Sequence, residues 1–126
     1  MPMTLRFAIT IAAAALTAGA LIAAASPATA AKTCNISGEQ RDFGNNMYLD
    51  ALSVRGTSCG KGKSVVSGYS ACRYKHGGSN GRCPNRVKKY KCSEGKRTLA
   101  PHIQYSVNVS CKHGSKRVKF TYTQQI

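Results

Sequence analysis

Three histidines, His76, His102 and His113, are the side chains of this 126-residue chain best suited to moving protons near neutral pH. With Glu94 as a further acid–base group and Lys91 to neutralise a phosphorane, they make up the ingredients of a small secreted ribonuclease. The weak catalytic candidates are therefore His102, His113 and Glu94. No spacing joins them into a signature: His76 precedes Gly77-Gly78, His102 follows Pro101 and His113 precedes Gly114, so each reads as an exposed loop residue. A Gly-x-Ser-x-Gly hydrolase motif is missing. Gly60-Lys61-Gly62-Lys63-Ser64 ends like a phosphate loop, but the glycine needed upstream of the Gly-Lys pair is Thr57. That segment reads as a glycine-rich helix start, whose free amides with Lys61 or Lys63 can hold a sulfate or phosphate.

Charge offers a stronger signal than catalysis. Nineteen Lys and Arg stand against four acids, Glu39, Asp42, Asp50 and Glu94, giving a net charge of +15. This is more than solubility asks for, and it attracts polyanions. Arg86 to Arg97 carries Arg86, Lys88, Lys89, Lys91, Lys96 and Arg97 with only Glu94 opposing them; a second group is Lys112, Lys116, Arg117 and Lys119. Tyr90 lies inside the first group and suits either stacking in a polyanion groove or a place in the core. The anion-binding candidates are thus Arg86, Lys88, Lys89, Tyr90, Lys91, Lys116, Arg117 and Lys119. The expected partner is an anionic polymer: a cell-wall polymer, an acidic polysaccharide or nucleic acid. No basic amphipathic helix of the length that lies on membranes is present.

The compartment follows from the first thirty residues. Arg6 precedes an uncharged run from Phe7 to Ala25, which closes on Ser26-Pro27-Ala28-Thr29-Ala30. Small residues at Ala28 and Ala30 form a signal-peptidase site, so residues 1–30 are expected to be removed and no membrane span to remain. Lys32, two residues before Cys34, breaks a lipobox. The 96 residues after Ala30 then form one domain of net charge +14, which is the chain to be placed outside the cell.

Six cysteines, Cys34, Cys59, Cys72, Cys83, Cys92 and Cys111, all fall in that domain. An even number in an exported chain reads as three disulfides, each worth about 2–4 kcal/mol, with 15 connectivities open. The nearest spacings, Cys72 to Cys83 and Cys83 to Cys92, are too wide for zinc-ribbon pairs. No metal or other cofactor is expected. Asn35-Ile36-Ser37 and Asn108-Val109-Ser110 match the glycosylation sequon, but the Ala-rich leader is bacterial in style and both read as chance.

The elements that must position these residues are legible in outline. Residues 31–46 read as an extended arm tied by Cys34. Met47 to Arg55 alternates as a strand ended by Gly56. Thr57 or Ser58 offers an N-cap, and Cys59, Gly62, Val65, Val66, Tyr69 and Cys72 recur with a helical period, with Cys59 and Cys72 expected to face the sheet. Three glycines weaken that helix by about 1 kcal/mol each, so packing must hold it. Tyr74 to Arg86 reads as a loop, Val87 to Cys92 as a short strand and Ser93 to Pro101 as a loop. Ile103, Tyr105, Val107, Val109 and Cys111 alternate with polar residues, Lys112 to Ser115 make a turn, and Val118, Phe120 and Tyr122 alternate again: a β-hairpin with one buried face.

The junction Leu52-Ser53-Val54-Arg55-Gly56-Thr57-Ser58-Cys59-Gly60-Lys61-Gly62-Lys63 and the ending Val109-Ser110-Cys111-Lys112-His113-Gly114 through Val118-Lys119-Phe120 resemble small exported cysteine-rich actinobacterial proteins of uncharacterised function. The resemblance implies secretion and an α+β fold, and no activity or site residue. The expected fold is one helix packed on a roughly four-stranded antiparallel sheet, stapled by disulfides. The expected role is a non-enzymatic module binding an anionic polymer; the alternatives are a small secreted ribonuclease and a toxin or inhibitor acting on a protein.

Overall fold

Strict alternation over two ten-residue stretches builds the centre of the molecule. In the computed structural model, which describes residue 19, residues 30–100 and residues 103–126, β5 (Gln104–His113) and β6 (Lys116–Gln125) form the expected hairpin. Its loop is only Gly114-Ser115, with Gly114 at φ 58°, so the strands run further into the expected turn on both sides. The leader read over residues 1–30 lies outside the described residues except for Gly19 and Ala30.

β2 (Met47–Arg55) pairs with the free side of β6, with a bulge at Asp50, and β1 (Lys32–Thr33) pairs with β2 at that edge. On the other side of β5 lie β3 (Lys91–Glu94) and β4 (Thr98–Ala100), which share one edge. The described residues thus form a six-stranded antiparallel sheet in the order β1–β2–β6–β5–β3, with β4 beside β5. The expected count of about four covers the long strands and β3; the two- and three-residue edge strands are too short to show a period.

Three segments differ from the expectation. Val87 to Cys92 is not one strand: Val87 and Tyr90 bond to each other (N–H to O, 2.9 and 2.8 Å) around a turn at Lys88-Lys89, and β3 begins only at Lys91. Ser93 to Pro101, read as loop, contains the end of β3 and all of β4. Residues 31–46 hold β1 and a 3-10 turn at Gly38–Arg41.

The helix α1 (Cys59–Lys75) covers one face of the sheet. Ser58 caps it, its Oγ accepting the Lys61 N–H at 3.1 Å. Gly62 and Gly68 explain why a helix should carry glycine: a Cβ at either would come within 2.7 Å of Val54 Cγ1 or Val87 Cγ1. The lost propensity is exchanged for close contact with β2 and with the Val87–Tyr90 turn. Tyr69 lies edge-on to Phe120, ring centroids 5.5 Å apart, and Leu52, Val54, Val65, Val66 and Val109 complete the buried layer.

Three disulfides fix the periphery. Cys34–Cys59 ties the arm after β1 to the helix start, Cys72–Cys83 ties the helix end to the following loop, and Cys92–Cys111 joins β3 to β5. Cys59 and Cys72 thus bond to flanking segments while both pack against the core, on the side the helical period gave them. Such bonds persist in oxidising compartments. No helix among the described residues is long and apolar enough to cross a membrane.

Candidate polyanion-binding face

The sheet has two faces, and charge is handled differently on each. Toward the helix, β3 places Glu94 in the interior, its side chain only 4 % exposed. The carboxylate accepts hydrogen bonds from Tyr69 OH at 2.6 Å, Tyr122 OH at 2.7 Å, Arg82 Nη1 at 2.8 Å and Arg97 Nε at 3.0 Å. Burial pushes its pKa up, but the donors from Arg97, Tyr69 and Tyr122 outweigh burial and hold it below the usual carboxylate value. Burial and the Glu94 carboxylate drive both phenols far above the ordinary tyrosine range, so they remain neutral donors. Arg97 also donates to the carbonyls of Asn80 (2.9 Å) and Gly81 (2.7 Å). Arg73, on the buried stripe of α1 and 1 % exposed, donates to Ser79 O, to Tyr105 OH and to Gln124 Oε1, with its guanidinium 4.8 Å from the Tyr122 ring centroid. The two arginines clamp the 78–81 loop onto the sheet.

Away from the helix, the strand registers line up basic residues. Arg55 of β2 is opposite Arg117 of β6, Arg117 is opposite Lys112 of β5, and Lys112 is opposite Lys91 of β3. All four belong to the solvent-facing parity of their strands. They form a row across four adjacent strands, spaced by about 4.8 Å per strand. Like charges placed directly opposite are destabilising, and no acid among the described side chains offsets them. Asp50 lies at the far end, paired with Arg41 at 3.2 Å, and Glu94 faces the other way. Arg117 turns part of its guanidinium onto the hairpin carbonyls of Gly114 and Lys116. Next to this row runs a second: Ser53, Lys119, Ser110 and Ser93, again in register. A groove of about 990 Å³ crosses the sheet over this second row and the next one, Ala51, Thr121 and Asn108, walled on one side by residues 33–36, so the Arg55–Lys91 row runs beside the groove and does not line it.

The candidates from the sequence divide accordingly. Lys91, Arg117 and Lys119 stand on the outward face, with Lys116 exposed at the hairpin tip, and Arg86, Lys88 and Lys89 are exposed just before β3. Tyr90 is 1 % exposed and packs in the core with its ring 5.6 Å from that of His113, so it offers no stacking surface. Among the described residues, the nuclease ingredients are not brought together. Glu94 is enclosed on the helix side, Lys91 faces outward, and His113 lies about 13 Å further along β5 from the residue opposite Glu94. His76 caps the helix end, with its Nδ1 2.8 Å from Cys72 O. His102 lies outside the described residues.

Arg55, and the serines of the second row, are the residues sequence reasoning missed. Their parity was visible, since each alternates with an apolar neighbour, but the pairing of β2 with β6 that makes Arg55 part of a row was not. The chain matches no protein family, no curated protein and no solved structure.

Proposed function

We propose that this chain is an exported, non-enzymatic module that binds an anionic polymer through the sheet face turned away from its helix. The supporting observation is the in-register row Arg55–Arg117–Lys112–Lys91, four cations side by side with no acid facing them among the described residues. Folding alone gains nothing from this arrangement, because cross-strand repulsion opposes it. A polyanion laid along the row removes the repulsion and releases its own counterions. The neighbouring cations, Lys88, Lys89 and Lys116 among them, extend the positive field around the same end of the sheet and raise the encounter rate. Three disulfides and the leader at residues 1–30 support export.

The test is binding of the oxidised protein to RNA, polygalacturonate and a sulfated polysaccharide over a salt titration, with RNA length followed in the same tubes. The log of the affinity is expected to fall linearly with log salt, and replacing all four row residues by Gln is expected to reduce the slope by about 3. Binding to none of the three at low salt, or an unchanged slope in the variant, overturns the proposal. Shortened RNA would return the ribonuclease reading in its place.

A further inference from the structure

We propose that the polymer is an acidic polysaccharide carrying about one carboxylate per sugar, running across the strands with its anions on the Arg55–Arg117–Lys112–Lys91 row and its hydroxyls on the Ser53–Lys119–Ser110–Ser93 row. This rests on the polyanion reading above and narrows it. Five polar side chains of the outward face satisfy one another: Thr121 donates to Asn108 Oδ1 at 2.6 Å, Thr123 donates to Asp50 Oδ2 at 2.6 Å, and Ser106 and Thr123 share a 2.7 Å hydrogen bond. The second row does not. Ser53, Ser93, Ser110 and Lys119 have no hydrogen-bonding or ionic side-chain partner among the described residues, leaving three hydroxyls and an ammonium open along the groove. Hydroxyls that both donate and accept are suited to sugar hydroxyls.

Spacing points the same way. Along a strand the two rows are two residues apart, about 6.6 Å, and within a row neighbours are about 4.8 Å apart. The second distance is close to the length of one sugar in an extended chain, so a polymer perpendicular to the strands meets one cation per residue on one side and one hydroxyl or ammonium on the other. Nucleic acid finds only half of this. Its bases need exposed aromatic faces, and among the described residues the only aromatic lining the groove, Phe120, is buried toward the helix. The carboxylates near the groove do not repel the ligand strongly, since Asp50 is engaged by Arg41 and Thr123 and Glu94 by Arg97 and Arg82.

The experiment compares the oxidised protein with polygalacturonate and with single-stranded RNA of equal charge number, at the same salt, alongside a Ser53→Ala, Ser93→Ala, Ser110→Ala triple variant whose unfolding midpoint is checked first. Polygalacturonate is expected to bind at least about tenfold more tightly than RNA, and the triple variant to lose about tenfold for polygalacturonate with RNA unchanged. If RNA binds as tightly, or the triple variant weakens both equally or neither, the polysaccharide proposal is overturned while polyanion binding stands. If neither polymer binds, the carboxylated-polysaccharide proposal is overturned, and polyanion binding falls with it if the sulfated polysaccharide also fails to bind at low salt.

Discussion

The helix side and the open side of the sheet each carry charged residues on the same strands, with opposite arrangements. On the helix side a single carboxylate, Glu94, sits among Arg82, Arg97 and two phenols, with a second buried arginine nearby that is held by neutral acceptors. On the open side four cations stand in line with no carboxylate among them. The difference teaches which charges serve the fold. Desolvated charges must be matched by partners to be tolerated at all, whereas solvated ones can be left unmatched at modest cost. An unmatched group on a regular sheet is therefore available to something outside the chain.

Removing the matched charge should have the largest effect. Glu94→Gln leaves Arg97, with a side chain only 14 % exposed, without its carboxylate, and is expected to cost about 3–5 kcal/mol. Urea unfolding of the oxidised protein reads this as a lower midpoint at unchanged slope. Arg82→Gln removes a partner of the same carboxylate whose side chain is 63 % exposed, and is expected to cost less than about 1 kcal/mol. Equal losses in the two variants would break the distinction between the faces.

Acid should probe the same group. Glu94 in the folded protein titrates below its unfolded value, so as pH falls the unfolded chain takes up the proton first and gains stability relative to the native state. The contribution of Glu94 is fully present above a pH of about 4.5 and is lost as pH drops through the lower folded value. Midpoints measured from neutral pH downward should stay level and then fall, and the fall should be shallower in Glu94→Gln. An equal acid fall in both proteins would remove Glu94 from the account.

Legibility from sequence follows the same division between local and distant causes. The β5–β6 hairpin, β2, the Ser58 cap and the helix stripe are set by periods of two and 3.6 residues, and all appear where the pattern places them. The helical period through Val66 and Tyr69 even lands on Arg73, although a buried arginine is not what an apolar stripe predicts. The anion face is only half visible. Parity places Lys112, Arg117 and Lys119 together on the hairpin, but Arg55 joins them through a pairing between residues some sixty apart in sequence, which no local pattern carries. Disulfide pairing is hidden for the same reason. The turn at Lys88-Lys89 was missed because left-handed positions are normally marked by Gly, Asn or Asp, and here they are lysines with φ of 48° and 73°.

That turn supplies the smallest test, and one in which stability and binding should move in opposite directions. Two-residue hairpin loops with both central residues at positive φ favour Asn-Gly, and a non-glycine residue there costs about 1–2 kcal/mol. Lys88-Lys89 is held in place by the Val87–Tyr90 hydrogen bonds and by packing of Val87 and the Lys88 stem at Gly68. Strain that secures no internal contact for either ammonium is consistent with presenting two cations at the sheet edge before β3, on the side of the helix, where they add to the field around the row without belonging to it. Lys88→Asn with Lys89→Gly is expected to raise stability by about 1 kcal/mol, a shift of about 4–8 °C in Tm, while weakening polyanion binding and reducing its salt slope by about 1.5. A stabilised variant that binds as well as the parent would confine recognition to the sheet row. A variant that gains no stability would mean the two lysines fit their backbone without strain, and the unmatched charge would then rest on cross-strand repulsion alone.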